Sequence, residues 1–416
     1  MNRRVVITGI GVVTSLSLKV DDLWQRILAG ESGIHPIRLF DTSDFKVKIG
    51  GDVYDWDPSE YIDAKEMKRV DRFTQFAHVA GADAIRDAGV DFAAYDPFRC
   101  GVVLGSGVGG LGEIEAQMVK LMSKGPDRVS ALTVPKMMLN AAGGHLSIEY
   151  GLRGPNYTVA TACASATNAI GDAFKLIQHG AADVMITGGT EAAVTRMGLS
   201  AFQNMRALSP RNDDPPHASR PFDRDRDGFV LSEGAGLLVF EELDNAKRRG
   251  ARIYAEVLGF GVSGDAGHIT QPDENGVGAA RAMQNALQDA QLNPDQVDYI
   301  NAHGTSTPLG DKAETLAVKS VLGSHATQVS ISSTKSQLGH TLGASGGIEL
   351  VLSVKALTTG IAPPTINLEN PDPDCDLDYT PNTPKERAIR VVMSNSFGFG
   401  GHNASIIAGQ LRNGRV

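Results

Sequence analysis

The chain has 416 residues, 42% of them apolar, which is enough to bury a large core in two domains or in one duplicated domain. Its 39 basic and 48 acidic residues give a net charge of −9, and without a long basic run this argues against a nucleic-acid partner. Three cysteines without a CxxC pair argue against a disulfide framework or a zinc knuckle, and no stretch is apolar enough for a signal sequence or a membrane span. We therefore expect a cytoplasmic protein that does not contact a membrane.

Strand-like and helical patterns alternate along the chain and predict an α/β fold. The strand RRVVITGIGVV at residues 3–13 resembles RIYAEVLGFGV at residues 252–262, which follows the charged segment 241–252. This similarity predicts a duplication, with an N-terminal half at residues 1–250 and a C-terminal half at residues 251–412. Two equivalent halves would bring their strand-to-helix turns to one shared centre.

A basic segment, DAKEMKRVDRF, lies at residues 63–73. Lys65, Lys68, Arg69 and Arg72 recur at helical spacing, so a helix here would present a basic stripe on one side. Such a stripe is either an ordinary solvated face or a binding site for an acidic partner.

Two further motifs resemble ligand-binding loops. GSGVGG at residues 105–110 satisfies GxGxxG, but the acidic residue about twenty positions later, Asp127, lies in a turn-like segment, so we predict no dinucleotide site. DRDRDG at residues 223–228 begins like a calcium loop. Its twelfth position is Gly234, and Glu233 comes one place too early, so we predict no calcium site.

Cys163 stands in TVATACASATNAIGDAF, where a β-branched run ends and a helical pattern begins. We expect it in the first turn of that helix, where unpaired amides and the helix dipole favour a thiolate. A buried, inert thiol is the alternative. Cys100 has the pattern of strand packing, and the carboxylates around Cys375 would oppose a thiolate.

The C-terminal half supplies polar residues after its predicted strands. His303 follows VDYINA, Lys335 and His340 lie in STKSQLGHTLGASGG, and Phe399 lies in the glycine-rich NSFGFGGHN after AIRVVM. Each histidine alone could be a hydrogen-bonded structural residue. Together with Cys163 they favour nucleophilic acyl chemistry, which needs a thiol, proton donors and a cation at one point.

The motifs TACAS, HGTST, STKSQLGHTLGASG and NSFGFGGHN closely resemble those of elongating β-ketoacyl-[acyl carrier protein] synthases, type II, of the thiolase-like superfamily. The resemblance covers nearly the whole chain. It implies a duplicated thiolase-like fold with five layers, α/β/α/β/α. It also implies that an acyl group carried on a cysteine is condensed with malonyl-[acyl carrier protein], giving a 3-oxoacyl product, CO2 and free carrier in fatty acid biosynthesis.

The resemblance further implies roles for single residues. Cys163 would be the acylated nucleophile, and the amides of Cys163 and Phe399 would bind the oxyanion. His303 and His340 would bind the malonyl thioester carbonyl and stabilise the enolate, while Lys335 would act through its charge. Two carboxylates are expected to organise these residues from behind, Glu349 and Glu314.

Other residues match substrate and carrier contacts of the family. The implied substrate contacts are Thr270, Thr305, Thr307, Val108 and Phe202. The implied docking residues for the acidic carrier protein are Lys65, Lys68, Arg69 and Arg206, with Arg128 as a further candidate. The small Val108 suggests that medium or long acyl chains fit.

The resemblance implies a homodimer without a metal or bound cofactor, because the substrate brings phosphopantetheine on acyl carrier protein. A polyketide-type ketosynthase with the same chemistry and a type I elongating synthase remain alternatives. A thiolase is disfavoured, because it needs a second cysteine near the C-terminal glycine loop. An initiating synthase would carry asparagine in place of one histidine, whereas this chain has both His303 and His340. A non-catalytic chain-length subunit typically lacks the cysteine, whereas Cys163 is present here.

Overall fold

The structure is a computed structural model and describes residues 3–411. The predicted halves, 1–250 and 251–412, extend beyond these residues at positions 1, 2 and 412. The strands are β1 (Val5–Val13), β2 (His35–Pro36), β3 (Ile49–Gly50), β4 (Cys100–Gly105), β5 (Asn156–Val159), β6 (Val184–Glu191), β7 (Gly234–Glu242), β8 (Ala255–Gly264), β9 (Tyr299–Asn301), β10 (Ser330–Ser332), β11 (Ile361–Ala362), β12 (Lys385–Glu386), β13 (Val391–Gly398) and β14 (His402–Gly409).

The α-helices alternate with these strands. They are α1 (Val20–Leu28), α2 (Ala64–Met67), α3 (Arg72–Ala88), α4 (Leu111–Lys124), α5 (Thr133–Met137), α6 (Ala141–Tyr150), α7 (Ser165–Gln178), α8 (Arg196–Asn204), α9 (Leu243–Arg248), α10 (Val277–Ala290), α11 (Pro308–Leu322), α12 (Lys335–Leu338) and α13 (Ser345–Thr359). Within residues 3–411, none of them is long and apolar enough to cross a membrane.

Ten strands follow the order β10-β9-β13-β14-β8-β1-β7-β6-β4-β5. The two central strands, β1 and β8, pair over three residues only, from Val5 with Val257 to Ile7 with Ala255, so two five-stranded units meet there. When the five strands of each unit are numbered along the chain, their order from the outer edge to the centre is 3-2-4-5-1 in both units. In each unit, the first three strands of this order are parallel, and the fourth strand pairs antiparallel with both of its neighbours. The predicted duplication is confirmed by this repeated topology.

The helices form three layers around these two units. Helices α7 and α13 pack between them, α3 and α6 cover the N-terminal unit, and α10 and α11 cover the C-terminal unit. Three separate apolar cores fill the spaces, which gives the expected order α/β/α/β/α. The central helices use small residues because they are enclosed: a Cβ at Gly171 of α7 would lie 2.3 Å from the Phe260 ring.

The strand ends determine where the polar residues lie. Cys163 follows β5, His303 follows β9, Lys335 follows β10 and Phe399 follows β13, while Glu191 is the last residue of β6. Because β4, β5 and β6 are parallel, as are β9, β10 and β13, their carboxyl ends gather at one edge of each unit. These edges meet around the central helices, and the functional site lies there.

Candidate active site

Cys163 lies in a tight turn that leads into α7. The helix begins two residues later, and the turn is closed by hydrogen bonds from the Ala164 amide to Thr161 O (3.0 Å) and from the Ser165 amide to Ala162 O (3.1 Å). Ala162 has a φ of 50°, in the left-handed region, and this reverses the chain direction before the thiol. Cys163 therefore precedes the helix instead of lying in its first turn as expected.

The electrostatic environment of Cys163 differs from the expectation. The residue is 7% exposed, and burial raises the pKa of its thiol to about 11, although Lys335 and two amides oppose this shift. Burial outweighs these favourable charges because it removes the water that would solvate a thiolate. The resting group is a thiol, so the predicted resting thiolate is wrong.

Two amides contact the sulfur, one from the glycine-rich loop and one from the cysteine turn. They belong to Phe399 and to Cys163 itself, and both lower the pKa of the thiol. Close packing of β13 on the cysteine turn allows this, because a Cβ at Gly398 would lie 2.7 Å from Thr161 O and 3.0 Å from Cys163 N. Two amides close to one sulfur are the donors that an oxyanion formed on Cys163 would need.

His303 is held through its backbone. The amides of His303 and Gly304 donate to the two oxygens of Glu314, at 2.9 and 2.8 Å. Burial raises the pKa of Glu314 to about 7, while these two amides favour its ionised form. The imidazole is 8% exposed, and its Nδ1 is buried without a hydrogen-bond partner among the described residues. Glu314 thus fixes the position of His303 and leaves its ring available to substrate.

His340 is held through its side chain. Its Nδ1 lies 2.9 Å from Ser345 Oγ, and its ring packs edge to face against that of Phe229 with the centroids 5.3 Å apart. Burial and the charge of Lys335 hold the pKa values of His303 and His340 well below the usual range. Both imidazoles are therefore neutral near neutral pH.

Lys335 and Glu349 form a buried ion pair next to the histidines. Lys335 Nζ donates to Glu349 Oε1, and both side chains are 3% exposed. Burial raises the pKa of Glu349, while Lys335 lowers it. The pair lies behind the histidines, so Lys335 acts on them through its charge.

A single cavity of about 400 Å³ contains most of the predicted site. The predicted residues that line it are Cys163, His303, His340, Phe399, Glu314, Val108, Phe202, Thr270, Thr305, Thr307 and Arg206. The hydroxyls of Thr305 and Thr307 lie 3.0 Å apart on its wall. Leu309, two residues after Thr307, is 47% exposed, and Ile269, next to Thr270, is 73% exposed, so this wall leads to solvent. The cavity connects solvent with a buried thiol, as a substrate attached to a long arm requires.

Sequence analysis missed Glu191. Its carboxylate is fully buried, with Oε1 accepting hydrogen bonds from Ser106 Oγ (3.0 Å) and the amides of Val108 (3.1 Å) and Gly109 (3.2 Å). Its Oε2 accepts from the Gly107 amide at 2.7 Å. The amides of GSGVGG thus bind a carboxylate of the protein and are not free for a phosphate, consistent with the prediction of no dinucleotide site. The glycine spacing of this motif was the available signal for a buried anion.

The first aspartate of DRDRDG is structural. Asp223 accepts hydrogen bonds from the amides of Glu369 (2.8 Å) and Asn370 (2.7 Å), and Arg226 pairs with Asp372 at 2.6 Å. Within residues 3–411, no group of three or more His, Cys, Asp or Glu residues could hold a metal ion.

The basic stripe exists only in part. Helix α2 ends at Met67, so no single helix carries the four residues, and Lys65, Lys68 and Arg69 are exposed. Arg72 instead turns inward and pairs with the buried Glu233 at 2.6 Å, so its inclusion in the stripe was wrong. Arg206 and Arg128 are exposed, and Arg206 lies at the mouth of the cavity.

Comparisons with known proteins give a consistent result. The model of the β-ketoacyl synthase N-terminal domain matches residues 2–246, and that of the β-ketoacyl synthase C-terminal domain matches residues 254–369. The chain is 51% identical to the 3-oxoacyl-[acyl-carrier-protein] synthase 2 of Synechocystis over 97% of both chains. It is 50% identical to the enzyme of the same name from Coxiella burnetii, over 98% of this chain and 99% of that protein.

Solved ketosynthase structures share the fold. A β-ketoacyl synthase from Burkholderia phymatum has a TM-score of 0.90 and 35% identity, covering 99% of this chain and 100% of that chain. A type II PKS ketosynthase, solved in complex with its acyl-carrier protein and bound to the hexaketide, has a TM-score of 0.91 and 33% identity with the same coverage.

Proposed function

Because this chain belongs to the β-ketoacyl synthase family, we propose that it elongates acyl chains in fatty acid biosynthesis. It joins an acyl group, held as a thioester on Cys163, to malonyl-[acyl carrier protein] by decarboxylative Claisen condensation. The products are 3-oxoacyl-[acyl carrier protein], CO2 and free carrier. The observation that carries the proposal is one cavity in which a buried thiol, two neutral histidines and a pair of amides face the same space.

The first step loads the acyl group. Cys163 Sγ attacks the carbonyl carbon of acyl-[acyl carrier protein], and the amides of Cys163 and Phe399 bind the oxyanion. Since the resting group is a thiol, a neutral imidazole of the His303–His340 pair takes its proton as the C–S bond forms. The carrier thiolate leaves and regains a proton, so the step changes no net charge.

The second step forms the carbon–carbon bond. His303 and His340 donate N–H groups to the thioester carbonyl oxygen of the malonyl carrier, which stabilises the enolate that forms as CO2 leaves. The carbanion attacks the Cys163 thioester, and collapse of the tetrahedral intermediate expels the Cys163 thiolate, which takes up one proton. Loss of CO2 supplies the electron pair, so the reaction needs no strong base, metal or bound cofactor.

Polyketide extension is the second candidate function. It is supported by the likeness in fold to the ketosynthase that is bound to the hexaketide. Sequence identity favours fatty acid elongation. The chain is 50 to 51% identical to the two 3-oxoacyl-[acyl-carrier-protein] synthases and 33% identical to that ketosynthase. A thiolase mechanism lacks support, because Cys163 is the cysteine that lines the cavity, while Cys100 and Cys375 are buried elsewhere.

Acyl carrier protein is the proposed partner. Its acidic surface would dock on the exposed Lys65, Lys68 and Arg69, and on Arg206 at the cavity mouth. The phosphopantetheine arm would then pass Thr270, Thr305 and Thr307 on its way to Cys163.

A homodimer that works in the cytoplasm completes the proposal. Strand β5 is an edge strand that pairs only with β4 among the described residues, and its first two residues, Asn156 and Tyr157, are exposed. Nearby helices α4 and α6 expose Met122 and Ile148 at 80% and 81%. An unpaired edge beside exposed apolar side chains is suited to pairing with a second copy. The three free thiols suit a reducing compartment.

The test is an acyl-transfer assay with purified protein and acyl-[acyl carrier protein]. Mass spectrometry should find the acyl adduct on Cys163, and Cys163→Ala should abolish condensation while retaining some malonyl decarboxylation. Cys375→Ala is the matched control, because this buried thiol lies outside the cavity, and it should still form the adduct. Unchanged condensation by Cys163→Ala would contradict the proposal.

A further inference from the structure

Glu191 connects the two halves of the molecule at the active site. Besides its four contacts to residues 106–109, its Oε2 accepts a hydrogen bond from the amide of Gly343, at 3.0 Å. Gly343 lies in the turn between His340 and α13, in the C-terminal half. Every contact of the carboxylate is therefore a donor, and the ion pairs of residues 3–411 include no basic partner for it.

The two segments that Glu191 joins lie against each other and both line the cavity, because a Cβ at Gly343 would lie 2.4 Å from the Gly107 amide nitrogen. Val108 lines the cavity from the N-terminal half and Leu342 from the C-terminal half. Leu342 has a φ of 49°, a left-handed conformation that costs energy for a residue with a β-carbon, so the surrounding contacts must hold it. Glu191 provides such a contact at the next residue.

Glycine at two positions allows the carboxylate to approach both segments. A Cβ at Gly343 would lie 2.6 Å from Glu191 Oε2, and a Cβ at Gly107 would lie 3.0 Å from the same oxygen. The Cβ at Gly107 would also lie 3.5 Å from Ala162 O, so this contact is next to the cysteine turn. The carboxylate, the two glycines and the Cys163 turn therefore pack as one unit.

The charge of Glu191 has an effect beyond this packing. Five donors around one carboxylate fit its ionised form, because a protonated oxygen would present a hydrogen to another donor. Burial raises the pKa of Glu191, and these donors oppose the shift. Glu191 also contributes, after burial, to the raised pKa of Cys163.

We propose that Glu191 is a positioning residue that holds Val108 and Leu342 at a fixed separation and thereby limits which acyl chains reach Cys163. Its negative charge also adds to the effect of burial, which keeps the Cys163 thiol protonated in the free enzyme. The inference about acyl chains rests on the proposed function. The inference about the thiol is independent of the proposed function, since it concerns the free enzyme.

The test compares Glu191→Gln, which removes the charge, with Glu191→Asp, which keeps the charge but shortens the reach. Glu241→Gln is the control, because Glu241 is equally buried on neighbouring β7 and pairs with Arg249 away from the cavity. One measurement is the pH dependence of Cys163 alkylation by iodoacetamide, and the other is kcat/KM over a series of carrier-bound acyl donors of increasing length.

Glu191→Gln should be alkylated with a midpoint at lower pH than wild type, and its ratio of kcat/KM between long and short donors should change about tenfold. Glu191→Asp should show the changed kcat/KM ratio, with an alkylation midpoint near that of wild type. Glu241→Gln should match wild type in the midpoint and in the ratio.

A folded Glu191→Gln protein whose alkylation midpoint and kcat/KM ratio both equal those of wild type overturns the proposal. If Glu191→Gln does not fold, Glu191→Asp decides: an altered length ratio supports the proposal, and an unaltered one overturns it. Failure of the wild-type enzyme to elongate any donor would instead refute the proposed function, while the alkylation midpoints still test the charge.

Discussion

The imidazole rings of His303 and His340 meet edge to face, with their centroids 5.4 Å apart and their planes at 86°. Each ring is buried, and Lys335 lies close enough to lower the pKa of both. This arrangement provides two neutral N–H donors for one carbonyl oxygen.

The first prediction concerns pH. Decarboxylation of malonyl carrier by Cys163→Ala should stay constant as the pH falls from about 7 through 6.5, because the pKa values of both histidines lie well below the usual 6.5. The unfolded chain protonates these histidines below about pH 6.5, so their contribution to stability is present above that pH and is lost as the pH falls. Initial rates and urea unfolding across this range measure both effects. A decarboxylation rate that halves near pH 6.5 would contradict the neutral pair.

The second prediction concerns the Lys335–Glu349 pair. Lys335→Met should shift the acid limb of decarboxylation to higher pH, because a cation that disfavours histidine protonation is gone. It should also destabilise the fold by about 3–5 kcal/mol, because Glu349 is left buried without its cation. The double variant Lys335→Met/Glu349→Gln should recover stability while keeping the shifted pH profile. Recovery of both properties would show that Lys335 acts only through folding.

The third prediction concerns the oxyanion hole. Gly398→Ala should slow acylation of Cys163 about 100-fold, because its Cβ would push the Phe399 amide away from the sulfur. Stopped-time mass spectrometry of the adduct measures the rate. Gly144→Ala is the control, since a Cβ there would point into open space, and it should acylate at the wild-type rate.

The fourth prediction concerns the length of the acyl chain. Val108→Phe should reduce kcat/KM for long acyl donors at least about tenfold and leave the shortest donors nearly unchanged, because the larger ring fills the cavity beside Cys163. A series of carrier-bound donors measures the profile. An equal loss for every length would show that Val108 does not limit the chain.

The fifth prediction concerns docking of the carrier. Lys65→Glu/Lys68→Glu should raise the KM for carrier-bound donors about tenfold with little change in kcat, and high salt should reduce the difference. Lys247→Glu reverses an exposed charge on α9 and should have no such effect. Donors that carry the acyl group on free pantetheine should react equally with all three proteins. A rise in KM for these donors as well would place the defect in the cavity.

Local sequence motifs predicted which side chains meet at the cavity. Cys163, His303 and Phe399 each follow a strand whose pattern is visible in the sequence, and parallel strands bring their carboxyl ends together. The duplicated order of strands was predictable for the same reason, since both halves open with similar β-branched strands.

Properties that depend on distant partners were not predictable. Arg72 has the spacing of an exposed stripe, but it pairs with Glu233, which lies 161 residues away in the sequence. The raised pKa of Cys163 results mainly from burial by the assembled fold, which a single helix start does not indicate. Glu191 was missed because its five partners are amides and a hydroxyl from two other segments.

A single-turnover experiment tests the condensation most directly. Protein acylated on Cys163 is freed of donor and mixed with malonyl-[acyl carrier protein] whose free carboxylate carries an isotopic label. We predict one equivalent each of labelled CO2 and of a 3-oxoacyl-[acyl carrier protein] two carbons longer than the loaded chain, with Cys163 returned to a free thiol. Release of the loaded chain without a new carbon–carbon bond, or a product that retains the label, would contradict decarboxylative condensation on Cys163.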